Sequence, residues 1–233
     1  MKGKQASGRG KKCSDGSPRR PRGRPQGMTM TITAAVQPMW IAIANQITDI
    51  DLTALQGTWS VAQYLALTAH TNRLIEYTDG VIEVLPMPTE KHQAMLEALF
   101  LALRAYVERH GGKVRFAPLR LEIRPGKFRE PDLLLLLRSD DPRRQNDYWR
   151  GADLVAEIVS PDNPARDLEE KPRDYAEAGI PEYWIVNPLD ETITVLTLAG
   201  DAYAPYGVFR RGVAARSRLL DGFAVRVDEV FDA

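Results

Sequence analysis

The chain predicts an α/β domain with a central mixed β-sheet flanked by helices, and three observations carry that expectation. Short apolar segments bounded by turn residues recur between residues 74 and 198. Two longer stretches, one opening at Thr89 and one ending at Gly179, have helical spacing instead. Finally, Leu133–Leu137 is five consecutive leucines between Pro131 and Arg138, a length and polarity that suit a strand covered on both faces.

Taken in order, a short helix follows Ser60 as its cap, with Val61, Tyr64, Leu65 and Leu67 apolar. Two strands, 74–77 and 81–85, meet at Asp79-Gly80, a strong hairpin signal. Thr89 opens a long amphipathic helix to about Arg109, in which Met95, Leu96, Leu99, Leu103, Tyr106 and Val107 recur at helical spacing until Gly111-Gly112 stops it. Strands at 114–116 and 119–123 precede a turn at Pro125-Gly126, and the leucine strand follows. Residues 138–150 read as loop, and 154–159 as a second buried strand ended by Ser160-Pro161. Pro172 is tolerable only near a helix start, so the next helix is expected to open near Leu168 with Asp167 as cap. Strands at 183–186 and 192–198 complete the pattern, and the alternating segments up to Val230 are expected to form a peripheral hairpin.

With 233 residues the chain can bury one substantial core. Its formal net charge of zero averages two unlike parts: residues 1–27 carry nine Lys/Arg and one acid, and the remainder is correspondingly acidic, at −8. The expected division is a disordered basic tail over 1–30, an extended arm over 31–58 and the folded domain over 59–233. In the tail, Arg19-Arg20-Pro21-Arg22-Gly23-Arg24-Pro25 resembles an AT-hook, whose Arg22 and Arg24 would enter a narrow A·T-rich minor groove. The competing reading is that translation starts at Met28 or Met30. The lone cysteine, Cys13, excludes an internal disulfide and a cysteine zinc site. With no apolar run of about 18 residues, a cytoplasmic protein without a membrane span is expected.

Chemistry is suggested by two acids in costly places. Asp132 opens the leucine strand, and Glu157 interrupts Leu154-Val155-Ala156-Glu157-Ile158-Val159. A carboxylate in a buried strand costs several kcal/mol, of order 3 to 5 when left unpaired, unless a cation or donors compensate it. Two on neighbouring strands can share a divalent ion. The plain alternative is a pair of structural acids bridged to Arg129, Arg166 or Arg173. Lys171, on the helix after the Glu157 strand, is a candidate third member, with pairing to Asp167 as its plain alternative.

In order along the chain stand Glu130-Pro131-Asp132 before an apolar strand, Glu157-Ile158-Val159-Ser160-Pro161, Asp167-Leu168-Glu169-Glu170-Lys171, and Tyr175-Ala176-Glu177-Ala178-Gly179-Ile180-Pro181-Glu182-Tyr183-Trp184-Ile185-Val186-Asn187-Pro188. Together they closely resemble the Uma family of "putative restriction endonucleases" within the PD-(D/E)xK nuclease superfamily, over roughly Trp59 to Val195. The resemblance implies a restriction-endonuclease-like core and a metal-dependent DNA endonuclease. It implies Asp132 and Glu157 as ligands of Mg²⁺ or Mn²⁺, with the Ile158 carbonyl assisting, and Lys171 as the catalytic lysine. One departure from the superfamily matters: its lysine is expected two residues after the glutamate, where this chain has Val159. Lys171 matches the displaced position.

His92, Glu83 and Glu130 are auxiliary candidates, and each has a bland reading: a surface histidine, or acids facing solvent. Arg115, Arg120, Arg124 and Arg129 form a candidate basic strip for DNA. Because cutting both strands calls for two sites, a homodimer is expected. The competing function is a catalytically silent module that binds nucleic acid or a partner on a nuclease fold, and the acidic body keeps that reading open.

Overall fold

Glycine and capping residues set the element ends, and the apolar pattern sets what lies between. The computed structural model describes residues 39–43, 46–50 and 53–233. The tail with Arg22 and Arg24 lies outside them. Within the stretch expected as an arm, β1 (Met39–Ile43) and β2 (Gln46–Ile50) pair antiparallel. A 3-10 turn at Thr53–Leu55 leads to α1 (Val61–Thr68), closed by a reciprocal capping box between Ser60 and Gln63. Next come β3 (Ile75–Thr78) and β4 (Val81–Val84). Asp79 and Gly80 both take positive φ, 46° and 91°, as this hairpin turn demands. A side chain at Gly80 would meet the Gly57 carbonyl at 2.7 Å, so only glycine fits.

The long helix α2 (Glu90–His110) is capped by the Thr89 hydroxyl and ends in left-handed Gly111. β5 (Lys113–Phe116), β6 (Leu121–Arg124), β7 (Lys127–Arg129), β8 (Leu133–Leu136) and β9 (Leu154–Ile158) follow. A π-helical turn at Arg166–Glu170 runs into α3 (Lys171–Glu177). The chain finishes with β10 (Glu182–Asn187), β11 (Thr192–Ala199), β12 (Ala202–Arg210), β13 (Ala214–Arg216), β14 (Ala224–Arg226) and α4 (Val227–Phe231).

The central sheet has the order β12-β11-β10-β9-β8-β5 and is mixed, with β9 and β10 parallel and the other pairs antiparallel. A parallel pair requires a crossover, and α3 lies in it. Alternation along β8 sends Leu133 and Leu135 to a core shared with Met95, Leu99 and Leu103 of α2. Leu134 and Leu136 go to a second core with Val155, Tyr175 and Tyr183. All four strand leucines are fully buried, each worth about 1.5–3 kcal/mol. A smaller antiparallel sheet, β4-β3-β7-β6, packs Tyr64 of α1 against Ile75, Tyr77, Ile82 and Phe128.

Three local expectations need correction. β7 is a strand of three residues, two of them charged, too short to carry an apolar period. Asp167 does not cap a helix: the coil begins with a π turn at Arg166, and the buried Asp167 carboxylate turns inward. The C-terminal region is not peripheral, because Leu220, Phe223, Val225, Val227, Val230 and Phe231 all belong to the core beneath α2. Among the described residues no helix is long and apolar enough to cross a membrane.

Candidate active site

The antiparallel register that pairs Leu133 with Ala156 brings Asp132 and Glu157 together at the mouth of β8 and β9. The main-chain amide of Asp132 donates to Glu157 Oε2 at 3.3 Å, and the amide of Ile158 donates to Asp132 Oδ2 at 2.8 Å. Two helices close on this pair. From α2, the Thr89 cap holds the first turn so that His92 Nε2 lies 3.1 Å from Asp132 Oδ2. From α3, Lys171 Nζ stands 2.9 Å from Glu157 Oε2 and 2.9 Å from Asp167 Oδ1. The Tyr175 hydroxyl, one helical turn further on, donates to Glu157 Oε1.

Asp132, Glu157 and Lys171 are thus brought together, with the main chain of Ile158 between the acids. His92 joins them through Asp132. Glu83 and Glu130 have other partners. Glu83 pairs with Arg166. Glu130 is buried, not solvent-facing, and accepts the Ile75 amide at 3.1 Å in the small-sheet layer. Arg129 and Arg166, the alternative partners considered for the acid pair, hold Glu76 instead. Sequence reasoning did not assign Asp167 or Tyr175 to the site. The i, i+4 spacing of Asp167 and Lys171 was the available signal, and both alternatives for Lys171 hold at once: it pairs with Asp167 and with Glu157.

The electrostatics follow from counting charges. Asp132, Glu157 and Asp167 face one lysine and one histidine, so the cluster is short of positive charge even with His92 protonated. Burial penalises both carboxylates of the pair. For Asp132 the His92 contact, Lys171 and the Ile158 amide outweigh that penalty and hold it below the usual range. For Glu157 they do not: burial, with Asp132 and Asp167 nearby, pushes it well above that range despite Lys171 and Tyr175. The second proton of the pair therefore leaves late. Burial would lower Lys171, but Glu157 and Asp167 outweigh it and raise it, so its ammonium stays charged. His92 is also raised, Asp132 overcoming the effect of burial.

Does this donor set suit a metal ion? Among the described residues no three His, Cys, Asp or Glu side chains form a ready cage. A hard divalent ion that keeps most of its waters needs only one or two carboxylates. Asp132 offers one: its Oδ1 has no hydrogen-bond partner among the described residues, and the side chain is 14% exposed. Glu157 keeps its proton late for want of positive charge, and a cation placed beside it would favour its ionised form. The residues fit Mg²⁺ or Mn²⁺ and do not fit a closed zinc cage.

A family model named Uma2 and described as "Putative restriction endonuclease" matches residues 61–228, more than two thirds of the chain. Among solved structures, a protein of Anabaena variabilis described as "a putative nuclease belonging to DUF820" is similar at 20% identity, with a TM-score of 0.62, over 75% of this chain and 98% of that one. At that identity the likeness speaks for the fold. No curated protein matches. The family match supports nuclease chemistry in general, and the restriction-endonuclease-like architecture agrees with it. The ordered motifs, the mixed sheet and the matched span converge: this chain belongs to the Uma2 family.

Proposed function

We propose that this chain is an endonuclease that hydrolyses DNA phosphodiester bonds with Mg²⁺ or Mn²⁺. Asp132, Glu157 and the Ile158 carbonyl would hold the ion, and Lys171 acts beside them. The observation that carries the reading is the convergence of Asp132 and buried Glu157 at one strand mouth, where Glu157 must share its only lysine with Asp167, a charge deficit that a divalent cation would relieve. A bound divalent ion supplies Lewis acidity, making water a better nucleophile at neutral pH and offsetting phosphate charge.

The chain's own groups have separable tasks. Lys171 keeps its proton, so it serves as a donor that orients the attacking water and stabilises negative charge, and not as a general base. His92 and the Ile158 amide fix Asp132 through Oδ2, leaving Oδ1 without a hydrogen-bond partner among the described residues. Tyr175 anchors the other oxygen of Glu157.

A polyanionic substrate needs free cations nearby. Of the basic strip expected from sequence, Arg124 and Arg129 are taken up by acids and Arg120 by Thr68. Arg115 is left without an acid partner among the described residues, joined by Lys113 two positions earlier on β5, the strand beside β8. These two would contact the phosphate backbone, and Arg22 and Arg24 of the tail would add minor-groove contacts. A homodimer in the cytoplasm, with two sites facing opposite strands, completes the proposal.

The test is cleavage of plasmid and linear DNA by purified protein with Mg²⁺, with Mn²⁺ and with EDTA, set beside Asp132→Ala. Metal-dependent cutting that the variant loses supports the assignment; cutting that survives the variant removes it. A protein that binds DNA but takes up neither ion at millimolar concentration by calorimetry is instead the silent binding module.

A further inference from the structure

Asp167 is a buried acid that the mechanism above leaves without a task. Its carboxylate has two partners: Oδ1 lies 2.9 Å from Lys171 Nζ, and Oδ2 accepts the Ser160 amide at 3.0 Å. The Tyr183 hydroxyl donates to its main-chain carbonyl at 2.9 Å, tying the π turn to β10. The carboxylate is thus fixed from the loop after β9 and its backbone from the sheet. Lys171 stands equally far, 2.9 Å, from Asp167 Oδ1 and Glu157 Oε2, with its side chain 7% exposed. Water is largely excluded, so the ammonium's charge is divided between two carboxylates.

We propose that Asp167 is a positioning residue, a second counter-ion that keeps Lys171 from neutralising Glu157 outright and so leaves Glu157 available to a divalent cation. This rests on the reading that Asp132 and Glu157 hold that cation. The physical reason is competition. An ammonium and a metal ion both seek Glu157 Oε2, and a buried ammonium cannot leave one carboxylate unless another receives it. Asp167 is that receiver. It lies i, i+4 before Lys171 on the same coil, so the ammonium can shift its weight between the acids by side-chain rotation alone. The π turn is the local feature that turns Asp167 inward beside the lysine. Tyr175 helps from the far side by holding Glu157 Oε1, so that the carboxylate does not swing after the lysine.

The prediction separates this role from a structural one by a double-mutant cycle read as Mn²⁺ affinity, with calorimetry on the full chain and no DNA present. Asp167→Asn keeps an oxygen for the Ser160 amide and removes the charge. We expect it to weaken Mn²⁺ binding by about tenfold. In the Lys171→Met background the same change should weaken binding by less than about twofold, since no ammonium is left to be shared. A loss of similar size in both backgrounds overturns the inference, because Asp167 would then act through packing or its own field. If the unsubstituted protein takes up no Mn²⁺, it is the metal reading that fails. A crystal of the unsubstituted protein with Mn²⁺ gives a second check that needs no variant. Lys171 should remain on Asp167 while drawing away from Glu157, and an ammonium that abandons Asp167 refutes the proposal.

Discussion

Two clusters of buried acids sit on neighbouring layers of this protein and are settled in opposite ways. On the small sheet, Glu76 is fully buried but gripped by Arg166 and Arg129. Arg129 also holds Asp174, which Lys127 shares, and Lys127 and Arg124 both reach Glu177. Burial penalises Glu76, yet the two guanidiniums outweigh it and carry its pKa down to about 2. At the mouth of β8 and β9, Glu157 and Asp167 share one lysine, Asp132 has only His92, and Glu157 is pushed up instead. Burial is common to both clusters; compensation is not. The balanced network reads as scaffold, and the unbalanced one as a site waiting for charge.

The sharpest way to break that contrast is to neutralise one acid in each cluster. Glu157→Gln, which neutralises the acid whose ionisation the fold opposes, should lower metal-dependent cleavage by about 10³-fold. It should leave the melting temperature unchanged or raised, because it relieves repulsion. Glu76→Gln should do the reverse. It takes the shared buried counter-ion from two guanidiniums, leaving Arg129 to Asp174 and Arg166 to Glu83, which costs about 3 kcal/mol by denaturant titration, while cleavage by the fraction still folded persists. If both variants lose stability alike, the distinction between scaffold and site fails.

Acidity offers a graded version of the same test. Glu157 and Glu130 have folded pKa values of about 8, above the ordinary 4.5, so the folded chain keeps protons that the unfolded chain releases. Their contribution is fully present below about pH 4.5 and is lost as the pH rises toward 8. Glu76 works oppositely: its contribution is present above 4.5 and lost as the pH falls toward about 2. Melting temperature without metal should therefore peak near the ordinary glutamate range and decline toward pH 8. Saturating Mn²⁺ should remove the Glu157 part of that decline and leave the part belonging to Glu130, which faces Ile75 and not the metal pair. A decline that Mn²⁺ leaves untouched would argue that Glu157 does not meet the ion.

Much of this was legible beforehand, and the reasons are local. Thr89, Gly111 and the apolar spacing between them define α2 because capping and helical period are both read within a few residues. The leucine run announces β8, and the cost of burying Asp132 and Glu157 points at the site. That cost alone does not select it, however. Glu182 is also fully buried within a strand, and it is satisfied by the Trp184 indole, the Ser217 hydroxyl and the Arg218 and Leu219 amides. Which buried acid is satisfied and which is short of charge depends on partners tens of residues away, and no local period encodes that. Asp167 was misread for the same reason, since a helix start and a π turn look alike in sequence while aiming the side chain differently. The α4 helix, five residues long, was too short for its Val227, Val230 and Phe231 to announce a period, although they complete the main core.

The smallest effect tests the finest feature of the unbalanced cluster, the Tyr175 hydroxyl on Glu157. That bond favours the ionised glutamate, against burial and the neighbouring acids that oppose it. Tyr175→Phe removes one donor and leaves the ring, which packs edge-on against Tyr183 at 5.1 Å, in place. Folding stability should change by about 1 kcal/mol, the usual worth of one buried hydrogen bond. With Glu157 harder to ionise, Mn²⁺ uptake should require a higher pH, so the affinity deficit should be clear at pH 6.5 and shrink by pH 8.5. A merely structural hydroxyl would weaken binding equally at both pH values, and calorimetry at the two settings decides between them.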